Sequence, residues 1–296
     1  MPKCTKCGKR GLFLKLTKEG FCLDCVKAIE EEQRIAEQKR LKQEKERRER
    51  EAREKEREDA LQRKYQQYDE MLSNITTCEL IIADEPAKII FAKDQKEIAY
   101  SSITKKTPRE KLGNFVVIDT ETTGLKLTCE IIDIAAIRFR NYKPVEKVSM
   151  LLSSKRPIPA EATAINGITN EMVSGQPCFQ EIAKSLVDFI GKDNIVGHNL
   201  PFDLSFIIRY GADVTQEKRK YYDTLEIARK TIKKAKQKWD KEFEFYYVDL
   251  DEDGVENYKL ETLCDWYGII NTQSHRAEND ALATGFLLQK LAEDRE

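Results

Sequence analysis

Apolar residues are distributed along the chain in four distinct ways. Up to residue 25 they are few and interspersed with cysteine and glycine. From about residue 26 to 68 they give way to Glu, Lys, Arg and Gln, with no Gly or Pro in the run. Such a stretch is predicted to be one long solvated helix, since acid and base recur one turn apart, as in Glu30–Arg34, Glu44–Arg48, Glu46–Arg50, Glu49–Arg53 and Glu51–Lys55. Apolar positions are too sparse between Leu41 and Ala60 for a coiled-coil seam, so a single spacer helix is favoured, with weak dimer contacts open only near its ends. Residues 71–111 carry short apolar runs. Two of them, residues 88–91 and 98–100, flank a polar Lys-Asp-Gln-Lys stretch and predict a small β-hairpin.

From residue 112 the pattern becomes that of an alternating α/β domain. The run Phe115-Val-Val-Ile118 predicts a buried strand, and 131–140 and 148–152 predict two more. Phe179, Ile182, Ala183, Leu186, Val187 and Ile190 lie on one face of a helix that Gly191 stops. A short strand at 194–197, a helix at 202–210, a helix after Thr224, and helices at 260–267 and 277–291 complete the chain. Between the last strand signal and residue 260 lies an insertion. It opens on Arg229, Lys230, Lys233, Lys234, Lys236, Lys238 and Lys241 with Trp239 among them, and the acidic run 249–254 is expected to turn a hairpin with residues 243–248. Basic residues interleaved with aromatics can follow a phosphate backbone, whereas a solvated charged face is the ordinary alternative. The expected domains are thus 1–26, 27–70, 71–111 and 112–296.

The bulk numbers narrow the function. With 296 residues, 35% of them charged, the net charge is only −1, so any attraction to nucleic acid must come from local patches. No window of apolar residues is long enough to span a membrane, and the N-terminal Met-Pro-Lys-Cys lacks an apolar signal core, which together point to the cytosol. Cys78, Cys129, Cys178 and Cys264 are scattered singly and are expected to be small buried hydrophobes. Cys4, Cys7, Cys22 and Cys25 are different. Two CxxC pairs so close together present four thiolates at the spacing of a structural zinc site, and the unit resembles a zinc ribbon or treble clef. Its lysines and arginines leave nucleic-acid or protein contact open.

The chemistry centres on the first strand of the α/β region. Asp119 and Glu121 end it, and residues i and i+2 of a strand project to one side. Two like charges there repel, and a divalent cation between them reverses that. Gly197-His-Asn-Leu-Pro-Phe-Asp203 brings a third carboxylate, and His275-Arg-Ala-Glu-Asn-Asp280 brings an imidazole and a fourth. Oxygen donors without cysteine favour magnesium or manganese over zinc.

Those motifs, with Pro157-Ile-Pro and Ile165-Asn-Gly-Ile-Thr169, resemble the 3′–5′ exonucleases of the DEDDh class. That class includes the proofreading epsilon subunit of bacterial DNA polymerase, PolC-type exonuclease domains and RNase T. The resemblance implies a ribonuclease H-like fold with a mixed central sheet. It also implies two Mg2+ or Mn2+ ions on Asp119, Glu121, Asp203 and Asp280, His275 as general base, and a packing rather than a reacting role for His198. Thr122, Leu125, Glu161 and Asn166 become candidate contacts for the terminal nucleotide, joined by Lys233, Lys234 and Lys236 of the insertion. Asn166 departs from the family, which often has histidine there. The expected substrate is single-stranded nucleic acid with a free 3′ end, DNA slightly favoured over RNA, and a polymerase or repair protein is an expected partner. A non-catalytic adaptor is the competing class.

Overall fold

The computed structural model describes residues 1–296 except 236, 241–244, 249–253, 273 and 296. It divides into two compact units, Met1–Asp69 and Glu70–Glu296. In the first, the bridges Lys3↔Arg10 and Leu16↔Cys22 fold the cysteine-rich segment on itself. Buried Cys4, Cys22 and Cys25, with Leu14, Leu16 and Phe21 packed on them, form its small centre. Helix α1, Leu23–Ser73, follows as 51 continuous residues. At 1.5 Å per residue that is about 77 Å of helix. Of the five charge pairs expected from spacing, Glu44–Arg48 forms. Elsewhere the partners differ: Arg34 turns to Glu31, Glu46 to Lys42 and Glu49 to Lys45. Exposed pairs of this kind are worth only a few tenths of a kcal/mol each, so which neighbour wins is a matter of rotamer.

The second unit is built on a six-stranded sheet. Its strands are β1 (Thr76–Thr77), β2 (Phe115–Thr122), β3 (Ile131–Arg140), β4 (Lys143–Leu151), β5 (Asn194–Gly197) and β6 (Tyr221–Asp223). Their spatial order is β1-β4-β3-β2-β5-β6. β2, β3 and β4 form an antiparallel meander, while β5 and β6 run parallel to β2 and β1 runs parallel to β4. The sheet is therefore mixed, as expected. β4 begins five residues earlier than its apolar pattern announced. Asn141 and Tyr142, both at positive φ, turn the chain tightly, so Lys143 pairs with Arg140 at once.

Between β4 and β5 lie α2 (Ala160–Asn166), α3 (Asn170–Val173) and α4 (Phe179–Ile190). Helix α5 (Leu200–Arg209) joins β5 to β6, α6 (Thr224–Thr231) follows β6, and α7 (Leu260–Tyr267) and α8 (Ala277–Glu293) end the unit. The side chains of Val116, Ile118, Ile134 and Ala136 share one core with α4 and α5. The other face receives α8, where Phe139 stacks on Phe115 at 4.9 Å and meets Phe286 edge-on at 5.8 Å. Gly285 lets α8 come this close: a Cβ there would lie 2.1 Å from Cζ of Phe139. Alanine favours helix by about 1 kcal/mol over glycine, but overpacking a ring held by two aromatic neighbours costs about 1–3 kcal/mol. Gly285→Ala is therefore expected to lower the thermal midpoint by several degrees, read by circular dichroism. An unchanged or higher midpoint would show that Phe139 moves aside freely.

Two expectations fail here. The hairpin at 88–91 and 98–100 does not form. Instead the segment is laid along the domain: Ile81 N–H donates to Ser185 Oγ, Ala83 and Ala87 N–H to the Glu181 and Gln180 carbonyls, and Ile90 N–H to that of Arg209. Tyr100 bridges Tyr221 in parallel, at the edge of β6. Its backbone groups are satisfied by neighbours far along the chain, which short apolar runs cannot reveal. In the insertion, β7 (Gln237–Asp240) pairs antiparallel with β8 (Phe245–Val248), so residues 245–248 pair with the segment before them rather than across the acidic run. Residues 249–253, with Lys236 and Lys241, lie outside the described residues.

Candidate active site

Parallel β2, β5 and β6 end at the same edge of the sheet, and the chemistry gathers there, as ligand sites do in open α/β sheets. Asp119 and Glu121 lie on β2 and line a cleft of about 780 Å³. Asp203, one turn into α5, is 4% exposed. Its Oδ1 accepts from Thr120 N–H at 2.9 Å and from Thr120 Oγ1 at 2.7 Å, which ties the third acid to the strand bearing the first two. Asp280 enters from the first turn of α8. Its Oδ1 accepts from Asn271 Nδ2 at 2.8 Å and its Oδ2 from His275 N–H at 2.9 Å. His275 itself sits at φ +63°, a left-handed conformation that the Asp280 bond helps to hold.

Glu121, His275 and Asp280 offer donor atoms that all lie within 4.8 Å of one another. Asp119 and Asp203 stand outside that trio yet share its field. Burial pushes the Asp119 carboxyl well above the usual carboxylate range, and the charges of Asp203, Asp280 and Glu121 add to this. Burial, then Asp280, raises Glu121 to about 7, against a hydrogen bond from Asn166. Burial raises Asp203 to about 7 despite its two bonds from Thr120, and it raises Asp280 too. Among the described residues no lysine or arginine is paired with any of the four. An acid cluster of oxygen donors with no lysine or arginine partner is what a hard divalent cation would neutralise, so the donor set fits magnesium or manganese.

The other expected contacts scatter. Leu125 is 85% exposed and lines the cleft. Thr122 is buried and donates to the Gly124 carbonyl. Asn166 is buried, with its Oδ1 accepting from Ile168 N–H at 3.0 Å, and it supports Glu121. Glu161 is exposed on α2 and is not among the residues lining the cleft. Lys234 lines the cleft, Lys233 is exposed outside its lining, and Lys236 lies outside the described residues. His198 is held between Thr224 Oγ1 and the Tyr258 carbonyl, 2.9 Å from each, and burial lowers its ring to about 4, which agrees with a packing role.

Several participants went unnoticed in the sequence. Asp133, 2% exposed and opposite Glu121 in the β2–β3 register, accepts from Arg276 Nε at 3.0 Å and pins the residue after His275. Glu261 at the start of α7 comes within 3.6 Å of His275 Nε2. The end of the insertion, Asn257 to Leu260, forms one wall of the cleft. Nothing in residue spacing gives these pairings; they follow from strand register and from where the insertion returns.

The cysteine cluster has its own geometry. Cys4 and Cys25 Sγ are 3.8 Å apart, Cys7 and Cys22 Sγ 3.7 Å. Four thiolates about 2.3 Å from a tetrahedral zinc would be separated by about 3.8 Å, so the four sulfurs fit that ion. Gly8, at φ +75°, lets the first knuckle close, its N–H donating to the Cys4 carbonyl. Backbone N–H groups of Cys7 and Cys22 lower the Cys4 thiol to about 6, while burial pushes Cys25 up to about 12.

A family model described as Exonuclease (RNase T) matches residues 116–288. The chain belongs to the exonuclease family. Within it, the chain is 31% identical over 205 residues to the DNA polymerase III PolC-type of Bacillus subtilis, covering 68% of this chain and 13% of that protein. It is likewise 31% identical over 185 residues to the DNA polymerase III subunit epsilon of Aquifex aeolicus, covering 62% of this chain and 82% of that one. Among solved structures, exonuclease X in complex with 5′-overhanging duplex DNA is 25% identical, with a TM-score of 0.44 over 60% of this chain and 91% of that one. The mixed sheet with helices on both faces is the ribonuclease H-like exonuclease fold of the DEDDh superfamily. The first unit lies outside the family match. No helix among the described residues is long and apolar enough to cross a membrane.

Proposed function

We propose that this exonuclease hydrolyses the terminal phosphodiester at the 3′ end of a single-stranded nucleic acid and releases nucleoside 5′-monophosphates. The observation that carries the reading is a cleft lined by Asp119, Glu121, Asp280 and His275, with Asp203 bonded to Thr120 between the first two, in a family exonuclease. Two Mg2+ or Mn2+ ions, when bound by the four carboxylates, would supply charge neutralisation for an in-line displacement at phosphorus. The chain's own residues do the rest. His275, on the loop ahead of α8, takes the proton of the attacking water, a task suited to an imidazole near neutrality. Asp133 through Arg276, and Asp280 through the His275 N–H, hold that loop in place. Leu125 offers an exposed apolar face against which the last base rests, a grip indifferent to sequence.

DNA is the favoured substrate because Asp119-Thr-Glu-Thr-Thr-Gly-Leu125 resembles the epsilon and PolC sequences, and a DNA polymerase is the proposed partner. The test is digestion of 5′-labelled DNA and RNA oligonucleotides in parallel, with magnesium, with manganese and without either. A ladder shortening from the 3′ end, metal-dependent and faster on DNA, is expected. No ladder under any metal would leave the domain a binding module.

The electrostatics give a second prediction. The folded pKa values of Glu121 and Asp203 stand near 7, above their unfolded values near 4. Their contribution to stability is therefore greatest below pH 4 and is lost as pH rises through 7. A cation binds the ionised forms, so it restores most where most is lost. Magnesium at about a hundredfold excess over its Kd should raise the thermal midpoint by roughly 5–10 °C at pH 8 and by almost nothing at pH 5. Equal shifts at both pH values would count against a carboxylate site.

A further inference from the structure

Residues 1–22 carry six basic side chains, Lys3, Lys6, Lys9, Arg10, Lys15 and Lys18, against one acid, Glu19. Lys6 and Lys9 are engaged by Glu32 and Asp24 of α1. No ion pair joins the other four to an acid among the described residues. The antiparallel bridge Lys3↔Arg10 sets two of them side by side. Lys15 is exposed between Leu14 and Leu16, which pack on the cysteine centre. Between Arg10 and Lys15 the chain turns, Leu14 N–H donating to the Gly11 carbonyl, and the turn leaves Phe13 97% exposed and Leu12 73% exposed. Arg10 is three residues from Phe13 and Lys15 two, within about 10 Å of it along the backbone.

We infer that this face of the cysteine-rich unit is a binding site for single-stranded polynucleotide. Phe13 stacks on an unpaired base, and Arg10, Lys15 and Lys3 contact the flanking phosphates. A bare phenyl ring among unpaired cations is the combination that single strands reward, because every base has a face to stack and every linkage a charge. The same surface is poorly made for a protein partner. Interface cores are depleted in lysine, and the turn itself exposes only Leu12 and Phe13 as large apolar side chains. The site uses none of the acid-cluster residues and does not depend on the proposed hydrolysis.

The test uses the full chain and closed circular single-stranded DNA and RNA, fluorescently labelled, which present no 3′ end to be held or removed. Binding is read by anisotropy at several salt concentrations. The wild-type protein is expected to bind both circles, Phe13→Ala to weaken binding about 5- to 100-fold, and Arg10→Glu with Lys15→Glu to flatten the dependence of log affinity on log salt by about 1–2. Zinc content measured alongside verifies that each variant keeps its fold, which is expected since the three side chains are exposed. Wild-type protein that ignores the circles overturns the inference. So do Phe13→Ala and the double charge variant if both bind as the wild type does, an outcome that would return Phe13 to a protein contact. Digestion of linear oligonucleotides by the same variants reads the exonuclease domain independently.

Discussion

Asp119→Asn is expected to lower the rate of 3′-end hydrolysis by at least about 10³-fold while leaving the fold intact. The exchange is nearly isosteric and removes one charge at the position where the fields of Asp203, Asp280 and Glu121 converge. Without that charge the cluster loses attraction for cations, and with it the electrostatic support of the displacement. Stability should move the other way. A carboxylate buried among like charges is repelled in the metal-free protein, so its neutral replacement relieves strain between ions. The metal-free midpoint of the variant is therefore expected to equal or exceed that of the wild type, and the magnesium-induced rise to shrink. Single-turnover rates and thermal midpoints measured on the same preparation separate the two effects. Retention of a tenth or more of the activity would remove Asp119 from the centre of the chemistry.

The second large effect is expected from Cys22→Ser. The unit around the four cysteines has only Leu14, Leu16 and Phe21 packed on its sulfurs. Three half-buried side chains are too small a core to order a segment of this size alone. Zinc bound by four thiolates adds its binding free energy to folding, on which so small a unit depends. Losing one ligand should reduce the zinc content from one per chain to a small fraction. It should also abolish amide-exchange protection in residues 1–25, with the pattern over 112–296 unchanged. Full protection of the first 25 residues without bound zinc would show that the cysteines serve another purpose.

What the chain discloses before folding depends on how local each feature is. The strand β2 and the shared side of Asp119 and Glu121 are readable because a period of two is a property of adjacent residues. Helix α4 and the boundaries of α7 are readable for the same reason. Asp203 and Asp280 could be picked out through the motifs around them. The support they rely on could not. Thr120 under Asp203, Asn271 on Asp280 and Arg276 on Asp133 each join residues from elements that meet only in the folded sheet. The segment 71–111 misled because its short apolar runs look the same whether they pair with each other or lie on a neighbour. β4 looked too short because Glu146 and Lys147 interrupt its apolar pattern. Glu146 pairs with Arg138 of β3 and Lys147 with Glu278 of α8, so their charges are met within the fold and do not end the strand.

The placement of residues 76–101 has one more consequence. β4 offers nine residues of ladder on its outer side, and β1 occupies part of it while the chain runs on past α4 to the opposite border at Tyr100. Open borders of that length recruit strands from other molecules. A chain cut at residue 112, the expected start of the exonuclease domain, would shed this hem and uncover the residues of β4 that β1 pairs with. It would be expected to self-associate more readily than the longer chain.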